Sequence, residues 1–343
     1  MERIKVVVIG YGYWGPNIVR NIDLNEDYEL VGVVDQDSDR RDLASKLHSV
    51  NTYSSHLEIT DINRIELAII CTRPQSHMSL ANFFISNRIN VLVTKPCGIS
   101  SMEALEISKL ASTFGVNAFC DFTYHFSPLL NFIQNNSVTS NIVNEMREYT
   151  SYRTSLGIVQ ADVDVLADLA VHDIYILLLL KGEIPAVASC LKTNPQDHVQ
   201  IRSAFLTLEW PDQTVAGIHV SWNSPKKVRQ ILITGDNQGI LLEEMSNETP
   251  IQILDYAPNV TDYANLSIED RKLRNISYTM GNVSAPQITR YEALTLEIEL
   301  IAQAIRGEII NELLPSASDA AKVWKVVETL RESSRLGGVP LYV

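Results

Sequence analysis

The chain has 343 residues, a formal net charge of −13 at pH 7, 45% hydrophobic residues and 20% charged residues. That length is more than one ordinary core needs and suits two domains, and the composition fits a soluble globular fold. The acidic balance argues against a nucleic-acid partner and against an anionic membrane surface, although a few local cations and dipoles still admit an anionic small molecule.

The apolar run from Ile174 to Leu180 is far short of the roughly 20 residues a membrane helix needs. A strand-like run begins at Ile4 with no leader before it, so a cytoplasmic protein is expected. Cys71, Cys97, Cys120 and Cys190 show no C-x-x-C spacing. They read as reduced, mostly buried thiols, and no metal site is expected.

Short Val- and Ile-rich runs at Ile4–Ile9, Leu30–Asp35, Leu67–Cys71, Val91–Val93 and Val116–Cys120 predict strands buried on both faces. Helical patterns lie between them at Trp14–Ile22, Asp39–Leu47, His77–Arg88 and Ser101–Phe114. Ser100 or Ser101 with Glu103 offers an N-cap region for the last of these. The alternation predicts a doubly wound parallel sheet over residues 1–120. After residue 120 the pattern changes. A strand is predicted over 141–153, an apolar helix over 162–180, and strands over 186–193, 201–209, 214–222, 229–235 and 239–243. Pro211-Asp212 marks a turn. Helices over about 290–306 and 317–335 and a short end strand close the chain. The polar stretch 257–288 reads as a long loop or lid. Residues 121–343 are thus expected to form an α+β domain with a large, mostly antiparallel, open-faced sheet.

Gly10-Tyr11-Gly12-Tyr13-Trp14-Gly15 matches G-x-G-x-x-G, after a predicted strand and at the opening of a helix. Gly10 permits the tight turn, Gly12 lets backbone approach a pyrophosphate, and Gly15 allows helix and strand to pack closely. Pro16 falls in the first helical turn, where its missing N–H costs nothing. Asp35 follows Gly15 by 20 residues, where an acid binds the adenosine ribose and repels a 2′-phosphate. NAD is therefore favoured over NADP, although Arg40 or Arg41 lies near enough to meet a phosphate. The N-terminal unit reads as a Rossmann domain.

Thr94-Lys95-Pro96 ends the fourth predicted strand. Ligands sit beyond the carboxyl ends of parallel strands, which aims Lys95 at the cleft unless it is a solvated surface lysine. Asp164, Asp168 and His172 recur every four residues on an apolar helix and share one face. They form either a polar seam between domains or an active-site wall. In the second case His172 is the natural acid/base, and Asp168 orients the imidazole or holds a substrate hydroxyl.

Taken together, the fingerprint, the Lys-Pro pair and Asp168-Leu169-Ala170-Val171-His172-Asp173 resemble the Gfo/Idh/MocA oxidoreductases over nearly the whole chain. Thr72-Arg73-Pro74-Gln75-Ser76-His77 is similar to the family's loop near the nicotinamide. Val220-Ser221-Trp222 with Pro225, Lys227, Val228 and Arg229, and Arg153 with Gly157, resemble the UDP-N-acetylglucosamine(uronate) 3-dehydrogenase branch.

The resemblance implies NAD held by Gly10, Gly12, Tyr13, Trp14, Gly15, Asp35, Thr72, Pro74, His77, Thr94 and Lys95. It implies catalysis by Lys95, His172 and Asp168, and substrate contacts from Arg153, Asp168, His172 and Lys227. One position departs: Thr94 stands where the family's Glu-Lys-Pro motif has Glu. A carboxylate there would favour charged Lys95.

The implied reaction is hydride transfer at a secondary alcohol of a sugar, with a nucleotide-linked hexose or amino sugar as substrate. Tyr152, Arg153, Lys226, Lys227 and Arg229 are candidate partners for its phosphates or carboxylates. A free cyclitol or aminocyclitol, a transient oxidation that permits elimination, and a non-enzymatic dinucleotide sensor are the alternatives. Relatives bury the open sheet face in dimers or tetramers, so a homodimer or homotetramer is expected.

Overall fold

Continuous apolar runs put six strands in a sheet covered on both faces. The computed structural model describes residues 2–157, 162–193, 200–257 and 279–343. In it β1 (Ile4–Ile9), β2 (Tyr28–Val34), β3 (Thr52–Tyr53), β4 (Leu67–Ile70), β5 (Asn90–Thr94) and β6 (Ala118–Asp121) stand in the order β3-β2-β1-β4-β5-β6. Every pairing is parallel. Helices α1 (Gly15–Leu24), α2 (Ser38–His48), α3 (His77–Ser86) and α4 (Ser101–Phe114) link these strands. Strand order reverses between β1 and β4, and this switch point opens a crevice at the carboxyl ends of the strands. Ser100 caps α4 by accepting from the Glu103 amide. The N-terminal unit is the parallel, Rossmann-type sheet that the sequence predicts.

A second sheet has nine strands. They are β7 (Glu148–Leu156), β8 (Val187–Lys192), β9 (Ser203–Glu209), β10 (Val215–Ser221), β11 (Asn223–Thr234), β12 (Gln238–Glu243), β13 (Ile251–Ala257), β14 (Thr279–Ser284) and β15 (Leu341–Tyr342). Their order is β14-β13-β12-β11-β7-β10-β9-β8-β15, antiparallel throughout except for β7 beside β10. β9 shows the strict alternation of a one-sided sheet: Ala204, Leu206 and Leu208 are buried, while Phe205 and Thr207 face outward. Helices α7 (Val171–Lys181) and α9 (Ala317–Arg335) lie within this half, and α9 also packs on α4. Helix α8 (Ala293–Ile305) returns to the first sheet, where Leu294, Ile298 and Ile301 share a core with Val6, Ile18 and Ile22. Among the described residues no helix is long and apolar enough to cross a membrane. All four cysteines are free: Cys97, Cys120 and Cys190 are buried and Cys71 is half-buried.

Several boundaries differ from the sequence reading. The expected strand 141–153 begins as helix: α5 (Pro128–Asn135) and α6 (Ser137–Asn144) precede β7. Ile142 and Val143 are β-branched and read as strand. The overriding signal is Asn136, whose side chain accepts from the Val138 and Thr139 amides and caps α6. β3, at two residues, is too short to show a period. β11 starts at Asn223, six residues before the expected 229, because an irregular register between Asn223 and Val228 absorbs Pro225. The expected loop 257–288 is bounded by the end of β13 and contains β14, while its stretch 258–278 lies outside the described residues. The expected helix 162–180 is helical from Leu166 to Lys181, with a π turn over Leu166–Ala170.

Candidate active site

Gly10 has φ +101°, and a Cβ there would lie 2.8 Å from the Cys71 carbonyl oxygen. Only glycine tolerates both conditions. At Gly15 a Cβ would lie 2.3 Å from the Gly10 carbonyl oxygen, so the helix start is pressed against the turn itself. This leaves the N-terminus of α1 open toward a cleft of about 1460 Å³. The cleft is lined at one end by Gly10, Gly12, Asp35, Arg40 and Ser54, and at the other by Lys95, Asp121, Tyr124, Asp168 and His172. Tyr13 is 89% exposed beside it. The cradle suits a long anionic ligand such as a dinucleotide, because backbone N–H groups at a helix start attract phosphate.

Asp35 follows β2 and already has two protein donors. Its Oδ2 accepts from the Tyr11 amide at 2.7 Å and its Oδ1 from the Asp37 amide at 2.9 Å. The Arg40 guanidinium stands 3.7 Å away. Asp35 therefore braces the glycine turn as well as facing the cleft. Thr72, Arg73, Pro74, Gln75 and Ser76 also line the cleft. His77 is fully buried instead: Nε2 lies 2.9 Å from the Thr72 carbonyl and Nδ1 lies 3.1 Å from that of Pro96. Burial pushes its imidazole down to about 4. As a neutral ring it donates once, from Nε2 to Thr72, and its Nδ1 accepts from the Gly98 amide at 3.4 Å, so it joins the Thr72 loop to the loop after Pro96 away from the cleft surface. Thr94 donates to the Ile70 carbonyl at 3.0 Å, which ties the end of β5 to β4.

Lys95 reaches from the end of β5 to the π turn. Its Nζ donates to the Asp168 carbonyl at 2.8 Å and to Asp168 Oδ1 at 2.9 Å, and Trp222 Nε1 donates to Asp168 Oδ2 at 3.0 Å. Asp168 thus grips Lys95, and its carboxylate is aimed by an indole. His172 lines the same end of the cleft. Burial, then the charges of Lys95, Arg153 and Arg229, hold its imidazole well below 6.5, and its buried Nδ1 has no partner among the described residues. Asp164 leaves this face. It pairs with Arg331 at 2.9 Å and accepts from the Ala167 amide at 2.9 Å. Asp164 precedes the helix, which begins after it, and caps the first turn, so the expected three-residue stripe loses its first member.

Behind His172 lies a buried ionic cluster. On β7, Tyr149, Ser151 and Arg153 alternate onto one face and all meet Asp173. The hydroxyls donate to Oδ1 at 3.1 and 2.6 Å, and Arg153 Nε donates to Oδ2 at 2.7 Å. Arg153 is 2% exposed and Asp173 0%. Arg153 also donates to the Tyr124 hydroxyl at 2.5 Å, and the Tyr124 ring stands 4.9 Å from that of His172. Burial, the first of several influences, pushes the Tyr124 hydroxyl up to about 12. Arg153, expected to touch substrate, therefore lies beneath the cleft wall. Lys226 and Lys227 are exposed on the irregular part of β11 and do not line the cleft. Tyr152 faces outward beside His219, as alternation on β7 requires. Arg229 donates to the carbonyls of Thr154 and Val228, at 2.9 Å each.

Two family models cover most of the sequence. An oxidoreductase family with an NAD-binding Rossmann fold (Gfo/Idh/MocA) matches residues 4–122, and that family's C-terminal alpha/beta domain matches residues 160–342. The chain belongs to the Gfo/Idh/MocA oxidoreductases. It is similar in fold to UDP-N-acetylglucosamine 3-dehydrogenase GnnA from Acidithiobacillus ferrooxidans, with a TM-score of 0.81 and 16% identity over 98% of this chain and 99% of that one. It is also similar to the WlbA dehydrogenase from Bordetella pertussis, solved with NADH and UDP-GlcNAcA, with a TM-score of 0.78 and 13% identity over 100% and 99% of the two chains. Meso-diaminopimelate D-dehydrogenase from Bacteroides fragilis is 25% identical over 92 residues, which is 27% of this chain and 29% of that curated relative. The match thus spans under a third of the relative's length.

Residues of this Gfo/Idh/MocA cleft that sequence reasoning missed include Asp121, Tyr124 and Ser54; Trp222 entered only as part of a motif. Asp121 ends the sixth strand of a parallel sheet and Tyr124 follows it, where ligands bind, so their place in the topology was the available signal. Trp222 and Tyr124 act through contacts remote in sequence, which no spacing reveals. Among the described residues no group of three or more His, Cys, Asp or Glu is placed to hold a metal ion.

Asp173 neutralises a buried guanidinium, and removing one partner of such a pair leaves the other charge uncompensated. Asp173→Ala should lower unfolding free energy by about 3–5 kcal/mol, measured by urea denaturation. A change below 1 kcal/mol would contradict the burial described.

Proposed function

We propose that this protein transfers a hydride between NAD and a secondary alcohol or ketone of a nucleotide-linked hexose or amino sugar. The observation that carries the reading is one continuous cleft with the glycine turn and Asp35 at one end and Lys95, Asp168 and His172 at the other. The substrates named for GnnA and WlbA support a sugar nucleotide. Gly10, Gly12, Tyr13, Trp14, Gly15, Asp35, Thr72 and Pro74 would hold the cofactor, with Thr94, Lys95 and His77 shaping the reactive end. A carboxylate at Asp35 favours NAD over NADP. When bound, NAD supplies the hydride acceptor.

The chain's own residues then handle position and protons. His172, neutral because it is buried among cations, takes the proton of the reacting hydroxyl. Lys95 orients that oxygen, and Asp168 fixes Lys95 while Trp222 fixes Asp168. Arg153 acts through Tyr124, which packs near the imidazole, and Lys227 serves outside the cleft. Residues 1–120 bind cofactor and residues 121–343 bind substrate, in the cytoplasm. The outer face of the large sheet carries Tyr152, Leu191, Phe205 and Val215, all exposed. Such a patch is suited to a homodimer or homotetramer interface.

His172→Ala and Lys95→Ala should each lower kcat by about 10²–10⁴, with NADH formation followed across nucleotide sugars and free cyclitols. The histidine must be unprotonated to accept the proton. Its depressed pKa therefore places the loss of kcat/KM on the acid side, below pH 6.5, and His172→Ala should erase that limb. Unchanged kcat in either variant would remove that residue from its role, and turnover of free cyclitols alone would replace the nucleotide-sugar reading. Light scattering at micromolar concentration should give a dimer or tetramer; a monomer would refute the proposed interface.

A further inference from the structure

Two carboxyl groups, Asp121 and Glu297, meet in the core under the reactive end of the cleft. Asp121 ends β6, stands opposite Thr94 in the strand register, and lines the cleft with Trp14, Thr94 and Lys95. It is 1% exposed. Its Oδ2 accepts from Trp14 Nε1 at 2.7 Å and its Oδ1 from the Thr123 hydroxyl at 2.6 Å. Glu297 rises from α8, is equally buried, and hydrogen-bonds Asp121, while its Oε2 has no partner among the described residues.

Two touching buried carboxyls cannot both ionise. Burial, then the charge of Asp121, push the Glu297 carboxyl well above the usual range. The proton therefore sits on Glu297, while both Asp121 oxygens act as acceptors, one for the indole and one for the Thr123 hydroxyl. Among the described residues neither group has a cationic partner within ion-pair distance. An uncompensated buried anion is costly, and this one stands at the wall where a ligand would complete it. The two redox forms of nicotinamide differ by one positive charge.

We propose that Asp121 is a specificity-determining residue that favours oxidised over reduced cofactor by charge, and that Glu297 is the positioning residue that holds it there. The register places this carboxylate beside Thr94, so an anion from the neighbouring strand stands next to the position where the family motif has Glu. The inference rests on the reading that the cleft takes NAD.

The test is calorimetric titration of the wild type, Asp121→Asn and Glu297→Gln with NAD⁺ and with NADH. Asp121→Asn should weaken NAD⁺ about tenfold and leave NADH unchanged, equivalent to a rise of about 30 mV in the potential of the bound two-electron couple. Glu297→Gln retains a donor to Asp121 and should leave the ratio of the two dissociation constants at the wild-type value. A purely structural role would weaken both forms together, and that result, or no change in Asp121→Asn, overturns the proposal. Should Asp121→Asn fail to fold, Asp121→Ser removes the carboxylate with a smaller polar side chain and should likewise shift the ratio toward NADH; an unchanged ratio overturns the proposal as well. A wild type that binds neither dinucleotide overturns the cofactor reading beneath it.

Discussion

One ion pair joins the parts on which the site depends. Lys95 leaves the carboxyl end of β5 and ends on Asp168, in the π turn of the helix that carries His172. The contact spans 73 residues of sequence and fixes the lysine against the imidazole's helix. Trp222 secures the far oxygen of Asp168 from the end of β10. A lysine so held cannot swing freely, which is the condition for orienting a reacting oxygen.

The surrounding structure supports this pair from two sides. Below the cleft, neutral His77 ties the loop after β4 to the loop after β5: Nε2 donates to the Thr72 carbonyl and Nδ1 accepts from the Gly98 amide. Behind it, Asp173 collects Tyr149, Ser151 and Arg153 from one strand. Because Asp173 follows His172 directly, anchoring one residue anchors the other. Burial, and then the same cations that stabilise the fold, hold the imidazole neutral, so the buried cluster helps tune the site that it supports.

Local patterns carried the fold well. The glycine fingerprint, the acid that follows it and the apolar strand runs all act over short spans, and period and turn chemistry reveal such features directly. The lining of the cleft was legible where a residue sits at a strand end or on a helix face: Lys95, Asp168 and His172 all line it. It was less legible where a long-range contact decides. Arg153 looked like a substrate cation because nothing in its neighbourhood shows Asp173 waiting beneath it. Asp164 looked like a third member of the stripe because spacing alone does not show that the helix starts after it. Asp121 carries no motif at all; only the register of β6 beside β5 places it at the cleft.

The central claim is that this cleft holds a nicotinamide dinucleotide together with a sugar that it oxidises or reduces. Mass spectrometry of the purified protein's bound small molecules, under native and then denaturing conditions, tests it most directly. The account predicts release of NAD⁺ or NADH, with a sugar nucleotide in the same preparation or captured after its addition. Absence of any dinucleotide, with none taken up when NAD or NADP is supplied in excess, would contradict it.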